Sequence, residues 1–440
     1  MSKAGLSRGY WRFLTAAGVS NLGDGISSVA YPWLASAVTR SPILIAMMGF
    51  ASRLPWLLFT LFAGVISDRF DRKRIIIAMD FFRGVMTVCV AISVGLLSDS
   101  LPRLGELTSG QEIQTQWPLY IILLVSALLF GFAEVLRDNT AQTFMPALVD
   151  KEGLEKANGR LWNAESIAVN FVGPPLGSFL IGVAVFLPFW VDAATFFISV
   201  ALVASIGGSF RKIKDPAESA AKEKVNFKRD IKEGFSWLWK HSLFRFLAIV
   251  LGLMNFTNTL VEATYILFAQ EVLKTSVNQY AILGMAGAIG GLLGGTFGDR
   301  VAGKLGRGTA LKLTLIYGPI AALGIGLTTS WIVVFIISIG FGFTSVIWNL
   351  ITVSLRQSTI PAHLLGRVNS VYRFFGWGTI PVGIFLGGLI VRILSDHIGR
   401  TSALRSVYFI SAALSASILL LALPRLSNER IEAARGEARA

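Results

Sequence analysis

Gly64-Val65-Ile66-Ser67-Asp68-Arg69, followed by Lys73, and Gly295-Thr296-Phe297-Gly298-Asp299-Arg300, followed by Lys304, are two copies of one signature, 231 positions apart in a chain of 440 residues. Each copy closes a long apolar run. Gly-x-x-x-Asp-Arg at such a place reads as a tight charged turn leaving a bilayer between two helices, and its repetition predicts an internally duplicated polytopic membrane protein. Composition agrees. With 53% hydrophobic residues, 15% charged residues and a mean hydropathy of +0.63, the chain cannot be solvated as a water-soluble globule.

Apolar stretches long enough to cross the hydrocarbon as helix recur about twelve times. They are placed at 13–38, 43–66, 75–97, 119–145, 162–182, 184–208, 243–268, 278–298, 310–328, 332–356, 370–393 and 404–424. Cationic loops stay on the cytoplasmic side. Lys3, Arg8 and Arg12 precede the first span, Arg69, Arg72, Lys73 and Arg74 follow the second, and Lys151, Lys156 and Arg160 follow the fourth. Arg211, Lys212, Lys214, Lys222 and Lys224 follow the sixth, and Arg425, Arg430, Arg435 and Arg439 the twelfth. Both termini are therefore expected in the cytoplasm. Arg392, Arg400 and Arg405, around the last outer loop, break the pattern without an explanation from sequence.

The formal charge of +14 follows from this orientation and from anionic headgroups of the inner leaflet, so a nucleic-acid partner is not expected. The basic, apolar amino terminus is too long for a cleaved signal and is followed by further spans. Cys89 is the single cysteine, which leaves no disulfide framework and no thiolate metal site. No cofactor is expected. Gly298-Asp299-Arg300-Val301-Ala302-Gly303-Lys304 imitates a phosphate-binding loop, but Leu305 replaces the Ser/Thr that would hold magnesium and a membrane helix precedes it, not a strand. Neither ATP binding nor an enzyme is implied.

The polar stretch 209–241 divides the chain into an amino-terminal half, 1–208, and a carboxy-terminal half, 242–424, with a tail at 425–440. Phe227, Ile231, Phe235, Leu238 and Trp239, spaced among Lys228, Arg229, Lys232 and Lys240, predict an amphipathic helix on the inner leaflet; a solvated loop is the alternative. The halves echo each other further. Phe130-Gly131-Phe132 matches Phe341-Gly342-Phe343, and Pro146 with Gly159-Arg160 matches Pro361 with Gly366-Arg367. Aligned on these repeats, Asp24 falls on Asn255, Glu134 on Ser345, Arg137 on Trp348 and Asp138 on Asn349. Charge in the first half faces neutrality in the second.

With these motifs the chain resembles a major facilitator superfamily transporter, in particular the twelve-span drug:proton antiporter branch that includes macrolide efflux proteins and the enterobactin exporter. The resemblance implies an all-α membrane protein of two pseudo-symmetric six-helix halves. It also implies that Gly64, Asp68, Arg69 and Arg72, with Gly295, Asp299 and Arg300, form an inward gate through charge contacts between helices. Asp71 stands where glycine is common in the superfamily, a departure usual in the macrolide-efflux branch. Gly173-Pro174-Pro175-Leu176-Gly177 in the fifth span is similar to the antiporter motif Gly-Pro-x-x-Gly, carried by the superfamily's exporters. Proline bends the helix, and Gly173 and Gly177 admit a close neighbour, expected to be the Gly287, Gly291, Gly295 face of the eighth span.

A charged side chain near mid-membrane costs at least ~2.5 kcal/mol, so each suggests a cavity or a partner. Asp24, between Gly23 and Gly25, has no basic residue one turn away and is expected to be an uncompensated proton carrier. Glu134, Arg137 and Asp138 share one face of the fourth span as a self-compensating cluster, either proton-coupling or structural. Asp80 and Arg83 are expected to support the gate. Arg53, Glu165, Asp192, Arg356 and Arg373 receive no role. His241, His363 and His397 lie outside the spans, so carboxylates must carry any proton. Asn21, Tyr31, Asn255, Asn258, Glu262, Trp348, Asn349, Phe375 and Trp377 are expected to line a cavity for a bulky amphipathic solute.

Taken together these features predict a proton-coupled exporter of drug-like or macrolide-like small molecules, working as a monomer in the inner membrane among its lipids. The alternatives are export of a native siderophore, metabolite or lysolipid, import, or a transport-inactive receptor or scaffold.

Overall fold

The computed structural model describes residues 7–102, 107, 113–150, 153–208, 210 and 227–436, and the described residues are helices and short connections with no strand. In chain order the helices are α1 (Arg8–Val38), α2 (Pro42–Leu58), α3 (Thr60–Arg69), α4 (Arg72–Leu97), α5 (Trp117–Phe144), α6 (Leu154–Ile167), α7 (Gly173–Val183), α8 (Leu187–Ala204) and α9 (Phe227–Lys240). There follow α10 (Ser242–Glu262), α11 (Tyr265–Glu271), α12 (Val277–Leu305), α13 (Arg307–Leu327), α14 (Trp331–Thr359), α15 (Ala362–Trp377), α16 (Thr379–Ile398), α17 (Arg400–Ala422) and α18 (Asn428–Gly436). All twelve expected spans fall on helix, because a chain in hydrocarbon must bond its own backbone internally.

Among the described residues, ten helical stretches are long and apolar enough to cross a membrane, and Pro42–Leu58 is a shorter apolar helix. The 31-residue α1 is not among the ten, since Ser20, Asn21, Asp24, Ser27 and Ser28 lower its hydropathy. The second span is divided at Phe59, the seventh at Ala263–Thr264 and the eleventh at Gly378. In the fifth, Ala168–Val172 is wound as a π-helix just before Gly173. Pro174 and Pro175 lack the N–H groups that would bond the carbonyls of Asn170 and Phe171, and the wider turn relieves the clash of their rings.

The paired Gly-Asp-Arg signature is helical in both copies, a correction to its reading as the turn itself. α3 runs through Arg69, and α12 runs through Leu305. The turns come later. In the first copy Phe70 is extended and the Asp71 carboxylate accepts from Arg74 N–H at 3.2 Å, capping α4. In the second, Gly306 turns the chain at φ 79°, a conformation that side chains resist.

The chain divides into two compact units, Met1–Lys214 with Lys274–Met285, and Asp215–Leu273 with Ala286–Ala440. In the first, α1 packs on α7 and α8, α4 on α5 and α8, and α2 on α5. Tyr10, Phe13, Ile76, Phe144 and Ile206 form an apolar core near the start of α1. In the second, α10 packs on α16 and α17, and α13 on α14 and α17, around a core of Leu247, Leu311, Trp348, Ile351 and Tyr372. The amphipathic helix expected in the connector is present as α9; residues 211–226 of that connector lie outside the described residues.

The arginines that broke the charge pattern are each neutralised or capped within the second unit. Arg400 forms a two-pronged pair with Glu271 at 2.6 and 2.9 Å. Arg392 pairs with Asp396 one turn on, at 2.7 Å. Arg405 donates to Gly326 O at 2.6 Å, at the carboxyl end of α13 where helix carbonyls attract cations.

Candidate functional site

Four helices of the first unit bring a chain of charges into its interior. Asp24 comes from α1, Asp80 and Arg83 from one face of α4, Arg137 and Asp138 from α5, and Ser199 from α8. Arg83 lies about 16 Å along α4 from its start at Arg72. Its guanidinium is paired with the Asp24 carboxylate, and its other terminal nitrogen is 3.9 Å from Asp80 Oδ1. Asp80 Oδ1 is 3.5 Å from Arg137 Nε, while Asp80 Oδ2 accepts from Ser199 Oγ at 2.7 Å. Arg137 reaches on to Asp138 Oδ1 at 3.2 Å.

The result is an alternating line, Asp24–Arg83–Asp80–Arg137–Asp138. Arg83 also lies over the Phe196 ring at 4.2 Å, which holds a desolvated cation against a π face. Asp80 is fully enclosed, whereas the Asp24 side chain is 33% exposed. Asp24 and Asp138, whose side chains are 33% and 36% exposed, are thus the two accessible ends of a network sealed at its centre. Asp24 was expected to lack a counter-ion, and the structure corrects this. The partner comes from another helix, 59 residues away in sequence.

The fourth-span cluster is also organised differently from the expectation. Arg137 pairs with its chain neighbour Asp138 and with Asp80 across to α4, while half-buried Glu134 makes no ion pair among the described residues. Asp80 and Arg83, expected to brace the gate, are the centre of the network.

Gly173 and Gly177 are filled from within their own unit, whereas a Cβ on Gly287 or Gly295 would meet nothing within 4 Å. A Cβ on Gly173 would strike Gly25, and one on Gly177 would lie 2.6 Å from Ile26 O, so the Gly-Pro-x-x-Gly segment of α7 is seated on α1. In the second unit Gly294 faces Phe343, and Gly342 meets the Gly287 backbone, tying α12 to α14. The close approach that Gly173 and Gly177 permit is thus made to the first span. Asp299 and Arg300 lie on the exposed side of α12, as Arg69 does on α3; the Asp68 side chain lies outside the described residues.

The expected cavity residues scatter. Tyr31 packs edge-on against Phe130 and Phe189. Asn21 bonds Ala17 O and Asn349 bonds Ser345 O, each one turn back on its own helix. Asn255 bonds Gly376 O at 2.7 Å, joining α10 to α15. Trp348 is 2% exposed and lies in the apolar core, which removes it as a cavity-lining residue in this conformation. Phe375 stacks on Phe235 and Trp239 of α9, Trp377 lies beside Arg373, and Glu262 is exposed at the end of α10. Asn258 borders a cavity of ≈ 30 Å³ with Thr257, Thr314, Thr344, Ser345 and Ser415. That volume holds a water but no drug-sized solute.

Comparison with known proteins agrees with this architecture. A family model described as Major Facilitator Superfamily matches residues 13–383. The multidrug efflux pump Tap of Mycolicibacterium fortuitum is 27% identical over 399 residues, covering 87% of this chain and 89% of that protein. Macrolide efflux protein A of Streptococcus pyogenes is 25% identical over 394 residues, covering 87% and 88%. Among solved structures, a bacterial homologue of the iron transporter ferroportin in an inward-facing state covers 95% of this chain and 99% of its own at a TM-score of 0.68 and 15% identity. A bacterial homologue of the human lysosomal transporter Spinster covers 99% and 98% at 0.62 and 16%. At those identities the structural likeness concerns the fold.

Proposed function

Since the chain belongs to the Major Facilitator Superfamily, we propose that it is a proton-coupled exporter of amphipathic small molecules, in which two six-helix halves alternate the access of a central site. It is a multi-pass membrane protein. In this reading it works as a monomer in the inner membrane, with both termini and α9 at the cytoplasmic leaflet and lipid around its apolar faces. The names of the relatives, multidrug and macrolide efflux pumps, support the substrate class and the direction.

The observation that carries the coupling is the Asp24–Arg83 pair. A proton on Asp24 removes the charge that neutralises Arg83, and an unpaired buried cation is costly. Asp80 is the carboxylate already within 3.9 Å on the same helix. Arg83 then leans on Asp80, the tie between α1 and α4 loosens, and α1 becomes free to move against the rest of its half. Loss of the proton restores the tie. Arg137 and Asp138 set the charge at the far end, so the proton's effect reaches α5.

In the same reading Gly64, Asp68, Arg69 and Arg72, with Gly295, Asp299 and Arg300, close the inward side. The seat of Gly173, Pro174 and Gly177 on α1 transmits its motion to α7. The test is uptake of radiolabelled erythromycin into everted membrane vesicles under an imposed pH gradient. Asp24→Asn is expected to abolish gradient-driven uptake while leaving the protein in the membrane. Undiminished uptake by that variant overturns the assignment.

A further inference from the structure

A second carboxyl group lies beside the network and takes no part in it. Asp192, on α8, is 1% exposed. Its Oδ2 accepts from Ser27 Oγ of α1 at 2.6 Å, and its Oδ1 has no hydrogen-bond partner. No arginine or lysine lies within ion-pair distance of it among the described residues. Of the helices packed on α8, α1 presents Asp24 and Tyr31, α4 presents Asp80 and Arg83, and α7 has no titratable residue. Arg83, the one cation in this set, is engaged by Asp24 and Asp80.

An ionised carboxylate enclosed in this way, with a single hydroxyl for company, costs far more than a neutral one. The neutral acid suits the geometry, since Oδ2 can accept from Ser27 while the acid proton sits on Oδ1. What covers that oxygen is informative. Gly23 of α1 lies against Asp192 Oδ1 and Thr195 Oγ1 so closely that a Cβ there would overlap both. Gly23 is also the immediate neighbour of Asp24. The backbone of α1 therefore covers Asp192, next to the residue whose pairing with Arg83 ties α1 to α4.

We propose that Asp192 is a second proton-binding site, occluded under Gly23 while Asp24 is paired with Arg83 and opened when α1 lifts from α8. Its transport role rests on the coupling reading above; its possession of a proton does not. When α1 moves, water reaches the carboxyl group, the proton leaves Oδ1 for that water, and Ser27 remains as the donor that steadies the anion. Reseating α1 requires a proton to return. Protonation at Asp192 thus times the return stroke, and protonation at Asp24 the forward one.

Two measurements on the purified full-length protein test this. Infrared spectra at neutral pH are expected to show a carboxylic-acid C=O band that Asp192→Asn removes; a band unchanged in Asp192→Asn overturns the proposal. In proteoliposomes, Asp192→Asn is expected to lose erythromycin accumulation driven by a pH gradient while keeping erythromycin counterflow, which needs no net proton movement. Ser27→Ala, which keeps the carboxyl group, is expected to shift the pH profile of efflux without abolishing it. Gradient-driven accumulation equal to wild type in Asp192→Asn overturns the transport role. Wild-type protein that ignores the gradient would instead remove the coupling reading, with the infrared band still deciding whether Asp192 holds a proton.

Discussion

Where the first half places Asp24, Asp80, Arg83 and Arg137, the second half, on the same repeat offsets, places Asn255, Leu311, Thr314 and Trp348. The first set is satisfied by charge passing from helix to helix. The second is satisfied by neutral means: Asn255 bonds Gly376 O, Leu311 and Trp348 are packed in the apolar core, and Thr314 bonds Leu311 O on its own helix. Two bundles of related design thus answer differently to a proton. A buried neutral core has nothing for a proton to change, whereas a line of alternating charges is re-sorted by one neutralisation at its end.

Substitutions can break this contrast in order of their size. Arg83→Met is expected to have the largest effect, about 3–5 kcal/mol of lost stability, because it leaves the enclosed Asp80 and Asp24 without their shared cation. Thermal unfolding in detergent measures it, and adding Asp24→Asn to that variant should restore part of the loss. Trp348→Ala is expected to cost a comparable ~3–5 kcal/mol by leaving a cavity in the second core. Unlike the arginine change, it should have no neutral partner substitution that repairs it.

Asp71→Ala sharpens the local picture. It removes the acceptor for both Arg74 N–H at 3.2 Å and Phe210 N–H at 2.9 Å, and should cost about 1–2 kcal/mol as the loss of a helix cap. Thr314→Val, at the position matching Arg83, should be the mildest. Its hydroxyl bonds only one turn back, so the cost is expected to stay below about 1 kcal/mol in the same unfolding assay. A Thr314→Val loss as large as that of Arg83→Met would erase the distinction between the halves.

Hydropathy made the helices legible because each must bury or expose a continuous apolar surface to lipid, and the repeated Gly-Asp-Arg and Phe-Gly-Phe segments made the duplication legible. The partners inside the bundle were not. No base stands one turn from Asp24 along its own helix, but Arg83 reaches it from α4, and only the rotation and register of two helices decide that meeting. Trp348 shows the same limit. An aromatic residue in a span reads equally as cavity wall or core, and here the residues on neighbouring helices enclose it.

The glycines were legible in a different way. Gly173 and Gly177 do mark a close approach, yet their partner is Gly25–Ile26 of the first span, because small residues advertise proximity without naming the neighbour. Asp192 carried a sequence signal of its own, a lone acid within an apolar run. Its significance needed the hydroxyl of Ser27 and the bare backbone of Gly23 above it.

The coupling of the first half to a proton is tested most directly by titrating purified protein with erythromycin in weakly buffered detergent and reading proton release with a pH dye. The account predicts release from wild type, none from Asp24→Asn, and undiminished release from Thr314→Val in the second half. Equal release from wild type and Asp24→Asn would contradict it.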